Sequence, residues 1–296
     1  MYNIPPIPIL IPYYDRKVEN FSGSFFADVP NTTLEKFDLP PKVIYHYTKL
    51  NTAELIIKGH KLNFSNPDRF NDPFDMMEDL IDFKAHGTQA KNWVNNKFKS
   101  RGRKERRKLT RRANEIGDQF ADFRRQGFSS LKEQTGVCCF SKSPSKTLMW
   151  SHYADAHKGI CIGFEIYPFQ RRHLTTMMIG EVAYSERIIA KNYYEYEEEI
   201  LRHWIFTKSH IWSYEEEVRA ILFGTDGQCL FDFDKGCIKE IYYGCKVTDE
   251  EILSFQNLLD EHGYKHYSSY RMKIDKSTFD IKTEKLNQQN ENGPKA

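Results

Sequence analysis

Three short polar and aromatic segments carry the residue types that could do chemistry in this chain. The segment at Tyr214–Arg219 is the most informative of them. Its residues Glu215, Glu217 and Arg219 fall at every second position of a run whose apolar residues favour a strand. Burying two carboxylates and a guanidinium without partners is costly, so their shared face is open to water or lines a polar cleft. We expect the three segments to meet at one site. They are YHYT at Tyr45–Thr48, MWSHYADAHKG at Met149–Gly159 and YEEEVR at Tyr214–Arg219.

The second segment is dense in rings and hydrogen-bonding groups. Between Trp150 and Lys158 it places an indole, two imidazoles, a phenol, a hydroxyl and an amine. A planar ligand could stack on Tyr153 or Trp150 while the hydroxyl and imidazole groups fix its orientation. The alternative is an aromatic surface patch that packs beneath neighbouring helices.

The first and third segments also have ordinary structural explanations. His46 alternates with Tyr45 and Tyr47 in an apolar run, where a histidine is commonly a core or turn residue. Its place near a strand end favours ligand binding instead. The charged face at Glu215–Arg219 could simply be solvated, although the neighbouring Trp212 favours a cleft.

A fourth segment, FNDPFD, could offer Asp72 and Asp75 to a metal ion. Asn and Asp next to proline also form side-chain-to-backbone turns, and we favour that interpretation. The favoured account of the chain therefore includes no metal site.

The charge distribution points to a polyanionic partner. From Lys97 to Arg112 there are ten Lys or Arg residues and one acid, Glu105, which gives ten minus one, or +9, in a chain whose total is +2. A solvated helix is the ordinary explanation, but one acid cannot neutralise ten bases locally. Phosphate contact with release of counterions is the alternative that we favour, and it predicts nucleic-acid binding. The predicted contact residues are Arg101, Arg103, Lys104, Arg106, Arg107, Lys108, Arg111 and Arg112.

Composition limits the class of protein. The chain has 296 residues, of which 40% are hydrophobic and 14% aromatic, as in folded proteins. No stretch approaches the roughly 20 apolar residues that cross a bilayer, and the proline-interrupted N-terminus makes a poor signal peptide. Six cysteines without metal-ligand spacing suggest reduced thiols, so we expect a cytoplasmic protein that does not bind membranes.

The pattern along the chain predicts one α+β domain with a mostly antiparallel sheet, at residues 41–283. A Pro-rich arm is predicted at 1–40, a charged helical insertion at about 84–132, and a disordered tail at 284–296. Asn51 with Glu54, and Thr248 with Glu251, predict the starts of two capped helices. Asn192–Lys208 has apolar residues at helical spacing, and Glu216–Leu222 reads as a strand.

The order of these motifs resembles a known family. YHYT, KLNFS, FNDPF, CCFS, MWSHYADAHKGICIGFE and YEEEVR, between about Val43 and Val247, are similar to the bacterial domain-of-unknown-function family numbered twenty-nine seventy-one. More distantly the layout resembles the ADP-ribosyltransferase superfamily of the His–Tyr–Glu type, which includes toxins of toxin–antitoxin and phage-defence systems. That resemblance implies a split sheet, NAD as a substrate, transfer of ADP-ribose to nucleic acid, and a possible antitoxin protein as partner.

The resemblance also assigns roles by position. His46 would contact the adenosine ribose of NAD, Tyr153 would stack on nicotinamide, and Glu217 would be the acid that opens the late strand. Further NAD contacts are expected from Tyr47, Thr48, Ser65, Trp150, His157 and Arg219.

The residues suit that chemistry on their own terms. Cleavage of the nicotinamide–ribose bond develops positive charge at the ribose, which a carboxylate such as Glu217 can stabilise. Glu215 could orient or deprotonate the acceptor. Arg219 could clamp pyrophosphate or hold the two glutamates ionised.

Two other functions are compatible with the sequence. A metal-dependent nuclease could use Asp72, Glu215 and Glu217 as carboxylate ligands for metal ions that face an anionic substrate. A non-catalytic module could bind nucleic acid or another partner through the basic stretch, with the polar clusters serving only the fold.

Overall fold

The computed structural model describes residues 42–85, 88–115, 117–165, 177–225 and 228–286. The predicted N-terminal arm at 1–40 lies outside these ranges, as do residues 287–296 of the predicted tail. The predicted start of that tail is wrong, because Glu284 and Lys285 belong to the last strand, where Glu284 pairs with Arg271.

Helices and strands are interspersed along the described residues. The helices are α1 (Leu50–Gly59), α2 (Gln89–Lys97), α3 (Arg103–Glu115), α4 (Gly117–Glu133), α5 (Thr147–Tyr153), α6 (Glu197–Phe206) and α7 (Asp249–Glu261). The strands are β1 (Val43–Thr48), β2 (Lys61–Ser65), β3 (Ile81–Asp82), β4 (Thr135–Ser141), β5 (Ile160–Glu165), β6 (Met177–Glu181), β7 (Ala183–Ser185), β8 (Lys191–Asn192), β9 (Thr207–Ser209), β10 (Glu217–Phe223), β11 (Gln228–Asp232), β12 (Ile238–Tyr243), β13 (Ser268–Ile274) and β14 (Ile281–Lys285). Helices α2 to α4 lie in the stretch where the sequence predicts helices.

One large sheet dominates the molecule. Its strand order is β11-β2-β4-β1-β5-β12-β13-β14, and β10 pairs with both β4 and β6. Within the described residues its pairings are antiparallel apart from β12 with β13. The predicted α+β class with a mostly antiparallel sheet is confirmed.

The sheet forks at β4. One edge of β4 pairs along its whole length with β10, whereas the other edge meets β2 at Val137 and β1 at Ser141. Between these two bridges the Cys139 carbonyl accepts a hydrogen bond from His46 Nδ1 at 3.1 Å. The imidazole therefore closes the gap that the diverging strands leave open.

The register at the fork decides which side chains share a face. Ser141 pairs with both Tyr45 and Glu217, so these three side chains point to the same face of the sheet. His46 follows Tyr45 and points to the opposite face, where its ring lies 5.7 Å from that of Phe140 between centroids.

Each face has its own core. On the His46 face, α1 and α7 contribute Ile57 and Leu259 to a cluster that includes Phe140. On the other face, Phe128 of α4 and Trp204 of α6 pack edge to face, with ring centroids 5.0 Å apart. Helix α5 covers a separate patch of this second face.

Local signals explain some boundaries and miss others. The predicted capping box of α7 is confirmed, with Glu251 N donating to Thr248 Oγ1 at 3.2 Å and Thr248 N donating to the Glu251 carboxylate at 2.8 Å. The predicted cap of α1 is wrong, because the helix already includes Leu50 and Asn51. No described helix is both long and apolar enough to cross a bilayer.

Candidate active site

Five charged side chains are buried together on the second face of the sheet, beside the fork. They are Asp75, Lys208, Glu215, Glu217 and Arg219, with exposed fractions of 1%, 8%, 3%, 2% and 0%. Side chains this charged are rarely buried unless they are paired. We call this group the buried network.

The backbone at Glu216 lets two neighbouring acids meet. The prediction that Glu215 shares a strand face with Glu217 and Arg219 is wrong, because Glu215 ends a 3-10 turn at His210–Glu215 and the strand begins at Glu217. Between them Glu216 has a left-handed conformation, with φ of 44°, which is costly for a residue other than glycine. The kink brings both flanking carboxylates to Lys208, although the chain there is not continuous strand.

The inner half of the network consists of Asp75, Arg219 and Glu217. Arg219 donates to both carboxylate oxygens of Asp75, at 2.7 and 2.6 Å, and its Nε donates to Glu217 Oε1 at 2.7 Å. It also donates to the Ile205 carbonyl at 2.6 Å. The guanidinium is fully engaged, so it holds Glu217 ionised and does not face a pyrophosphate site.

Lys208 joins the inner half to the outer half. Its ammonium group lies 2.6 Å from Glu215 Oε2 and 3.0 Å from Glu217 Oε2, and 3.9 Å from Asp75. Three carboxylates against two cations leave one negative charge when all five groups are ionised. The network is therefore closest to neutral when one acid carries a proton.

The outer half is Glu215, which is hydrogen-bonded to Tyr153 and through it to Asn71, at the edge of the network. The Tyr153 hydroxyl donates to Glu215 Oε1 at 2.5 Å and accepts from Asn71 Nδ2 at 3.3 Å. Tyr153 is half-exposed and Asn71 is exposed. A proton on Glu215 is thus one hydrogen bond from a side chain that reaches solvent.

The two glutamates differ in their affinity for a proton. Burial raises the pKa of Glu215, and Lys208 and Tyr153 oppose that rise only in part. Burial also acts to raise the pKa of Glu217, but the Arg219 and Lys208 cations outweigh it and hold that pKa well below its usual range. Paired acids separated in this way commonly divide into a proton carrier and a permanently charged group.

A row of rings lies beside the outer half. His152 lies 6.3 Å from Tyr153 and 6.1 Å from Tyr214 between ring centroids, and Trp212 lies 6.2 Å beyond Tyr214. The Lys208 ammonium lies 5.2 Å from the Trp212 ring centroid. His152 is exposed and the other two rings are half-exposed, so a flat ligand could stack on this row.

The structure brings the segments at Met149–Gly159 and Tyr214–Arg219 together, but the imidazole of His46 lies elsewhere. Tyr153 contacts Glu215, whereas His46 points to the other face of the sheet, and burial lowers its pKa. Tyr47 is on the same face as the network, and its hydroxyl donates to the Ser143 carbonyl at 2.8 Å. Thr48 is buried at the end of β1. A catalytic or NAD-binding role for these β1 residues stays a prediction.

Two other predicted NAD contacts, Trp150 and Ser65, have hydrogen-bond partners within the protein. Trp150 is fully buried and its indole nitrogen donates to the Pro144 carbonyl at 2.8 Å, so this ring anchors α5 and offers no face to a ligand. Ser65 accepts a hydrogen bond from Asn63 at 2.8 Å. His157 ends three consecutive left-handed residues, with φ of 73°, in the turn between α5 and β5.

The FNDPFD segment forms the predicted turn. Asp72 Oδ1 accepts from the Phe74 backbone N–H at 3.0 Å, which is a side-chain-to-backbone turn. Within the described part of the chain, no group of three His, Cys, Asp or Glu residues could hold a metal ion. Glu215 and Glu217, the other ligands of the nuclease hypothesis, face Lys208 instead.

The basic stretch runs from the last residue of α2 through a turn into α3, and it is largely exposed. Two of the predicted contact residues are engaged locally, since Arg101 pairs with Glu105 and Arg106 donates to the carbonyls of Lys99 and Arg101 at 3.0 and 3.1 Å. The other six are exposed on α3. They are Arg103, Lys104, Arg107, Lys108, Arg111 and Arg112.

Sequence reasoning missed three members of the site. Lys208 reads as the end of an amphipathic helix, yet it lies in β9, which is paired with β7. Tyr184 of β7 accepts a hydrogen bond from the Glu217 backbone N–H at 2.8 Å. Asn71 is the third. A lone cation seven and nine residues before two acids was the available signal for Lys208.

Part of the chain matches a known protein family. The family described as "Protein of unknown function (DUF2971)" matches residues 149–220. This range contains Tyr153, Lys208, Glu215, Glu217 and Arg219, whereas Asn71 and Asp75 lie outside it. No curated protein and no solved structure gives a significant match, so the likeness to ADP-ribosyltransferases stays a prediction.

Proposed function

We propose that this protein is an enzyme that transfers ADP-ribose from NAD to an acceptor, with Glu215 as its proton-carrying acid. The observation that carries the proposal is the contrast between two neighbouring carboxylates. Glu217 has both oxygens bonded to cations, whereas Glu215 has one oxygen bonded to Lys208 and the other to the half-exposed Tyr153 phenol, and burial raises its pKa. Of the two glutamates, Glu215 is the one hydrogen-bonded to a side chain that reaches solvent, which supports it as the proton carrier.

Each part of the site has a role in this account. NAD would supply a ribose whose bond to nicotinamide breaks with the electron pair leaving on the ring nitrogen. Glu215 would accept the proton of the attacking acceptor, and Tyr153 would orient that carboxylate. Before that proton is transferred, the one net negative charge of the fully ionised network would favour the positive charge that develops at the ribose.

The surroundings support a flat donor and a polyanionic acceptor. The row of His152, Tyr214 and Trp212 beside Tyr153 would suit the nicotinamide or adenine ring of NAD. The exposed basic side chains of α3 support nucleic acid as the acceptor. Arg219, which the resemblance implies as an NAD contact, serves here through Glu217.

The direct test is release of labelled nicotinamide from NAD with DNA or RNA present. We expect Glu215→Gln to lower the rate by at least about 100-fold, as loss of a general base does. The matched control is Glu216→Gln, which removes the same charge one residue away, from a half-exposed pair with Lys146. The control should leave the rate within about twofold. Equal rates for both variants, or no release by the wild type, would remove the proposal.

A further inference from the structure

Helix α3 is a rigidly mounted basic surface. Arg106 donates to two carbonyls of the preceding turn, and Phe98 in that turn packs edge to face on Trp93, with centroids 6.0 Å apart. Trp93 in turn donates to Glu197 of α6 at 2.7 Å. These contacts hold the start of α3 against the body of the protein, so the helix presents its exposed side chains from a defined position.

Six cations occupy one side of this helix. At about 100° per residue, Arg103, Lys104, Arg107, Lys108, Arg111 and Arg112 span roughly half of the cylinder. Arg106, Leu109 and Thr110 are less exposed and lie on the remaining side. The positions 103, 107 and 111 form one row about 12 Å long, and 104, 108 and 112 form a second beside it.

The chemistry of this face distinguishes between classes of partner. A helix that lies on a membrane needs a large apolar side, and α3 contains one large apolar residue, Leu109. Surfaces that bind single-stranded nucleic acid use aromatic stacking platforms, and the α3 sequence has no aromatic residue. The two rows of cations on a helix of 13 residues suit the regular phosphate rows of a duplex.

We propose that the exposed face of α3 binds the phosphate backbone of duplex DNA without sequence preference. A helix about 10–12 Å wide matches the DNA major groove, which is about 12 Å wide, whereas the major groove of duplex RNA is narrow. Arg101 and Arg106 make contacts that hold the start of the helix in place, and they are not part of its binding face. The inference rests on the proposed function only in making this DNA the acceptor, because binding itself requires no NAD.

The test is fluorescence anisotropy of a labelled 30-base-pair DNA of arbitrary sequence, titrated at several salt concentrations. Arg107→Gln with Lys108→Gln should weaken binding at least about 10-fold and reduce the salt slope by about 1.8, which is two phosphate contacts at 0.9 each. The control pair, Lys91→Gln with Lys99→Gln, removes two exposed charges outside the face and should change affinity less than threefold. Arg103→Gln with Lys104→Gln replaces the first pair if that variant does not fold.

Three results would overturn the proposal. They are an equal effect of the binding-face and control pairs, equal or tighter binding of single-stranded DNA or duplex RNA of the same length, and binding to phosphatidylserine vesicles in preference to DNA. A variant with Glu215→Gln should bind DNA like the wild type. DNA binding without release of nicotinamide would therefore support this inference while removing the proposed reaction.

Discussion

The two halves of the buried network differ in the partners of their carboxylates and in their connection to solvent. In the inner half, Arg219 donates to both oxygens of Asp75 and to both oxygens of Glu217, and all three side chains are at most 2% exposed. In the outer half, Glu215 shares one cation and is bonded to a phenol that reaches solvent. An acid whose partners are all buried has a structural role. An acid with one partner that reaches solvent can exchange protons.

Removing a member of the inner half should lower the free energy of unfolding more than any other change proposed here. Asp75→Asn leaves a fully buried guanidinium without its bidentate partner, and loss of one member of a buried pair costs about 3–5 kcal/mol. Urea unfolding at neutral pH measures this free energy. The control is Asp79→Asn, whose pair with Arg125 is 62% and 45% exposed and should cost at most about 1 kcal/mol. Equal costs for the two variants would show that the inner half is not a closed unit.

Lowering the pH should destabilise the folded protein through protonation of Glu217 in the inner half. Its folded pKa lies below its unfolded value near 4.5, so the stability that it contributes is present above pH 4.5 and is lost as the pH falls towards the folded pKa. We expect the wild type to lose up to about 1.4 kcal/mol per pH unit in this window through this group. Glu217→Gln should remove that part of the slope. An unchanged slope in the variant would contradict the assignment.

The outer phenol should matter less. Tyr153→Phe removes the hydrogen bond to Glu215 and leaves Asn71 without its acceptor, for a cost of about 1–2 kcal/mol. Tyr214→Phe is the matched control, since Tyr214 is half-exposed in the same ring row, and should cost at most about 0.5 kcal/mol. A larger cost at Tyr214 would mean that the ring row, and not the acid, holds this edge of the site together.

Neutralising Glu215 should have the smallest effect on stability. Its folded pKa is raised above the unfolded value, so the stability associated with its protonated form is present below pH 4.5 and is lost as the pH rises through the folded pKa. Glu215→Gln removes one charge from a network with a surplus of one acid, so we expect a change within about 1 kcal/mol at neutral pH. A loss of 3 kcal/mol or more in urea unfolding would place Glu215 with the inner half.

The sequence alone predicts the fold class and the contact between the segments at Met149–Gly159 and Tyr214–Arg219. These predictions succeed because the patterns that they use lie in residues that are close together in the sequence. The capping box at Thr248 and the alternation in β10 depend on residues within a few positions of each other. The spacing of Glu215 and Glu217 also identified the acid pair, although a left-handed Glu216 achieves the meeting instead of a continuous strand.

The rest of the site depends on contacts that no local pattern encodes. Asp75 meets Arg219 across 144 residues, and Asn71 meets Tyr153 across 82. His46 was misplaced for a related reason. The alternation that sets its face depends on the register of β1 with β4, which the sequence of β1 does not specify.

The most direct test of this account is the titration of the two glutamates by carbon-13 NMR of their side-chain carboxyl groups. Glu215→Gln and Glu217→Gln variants assign the two signals. We predict that Glu215 titrates above the ordinary glutamate pKa of 4.5 and that Glu217 stays ionised well below it. The reverse order, or two titrations near 4.5, would contradict the division of the network into a fixed inner half and a proton-exchanging outer half.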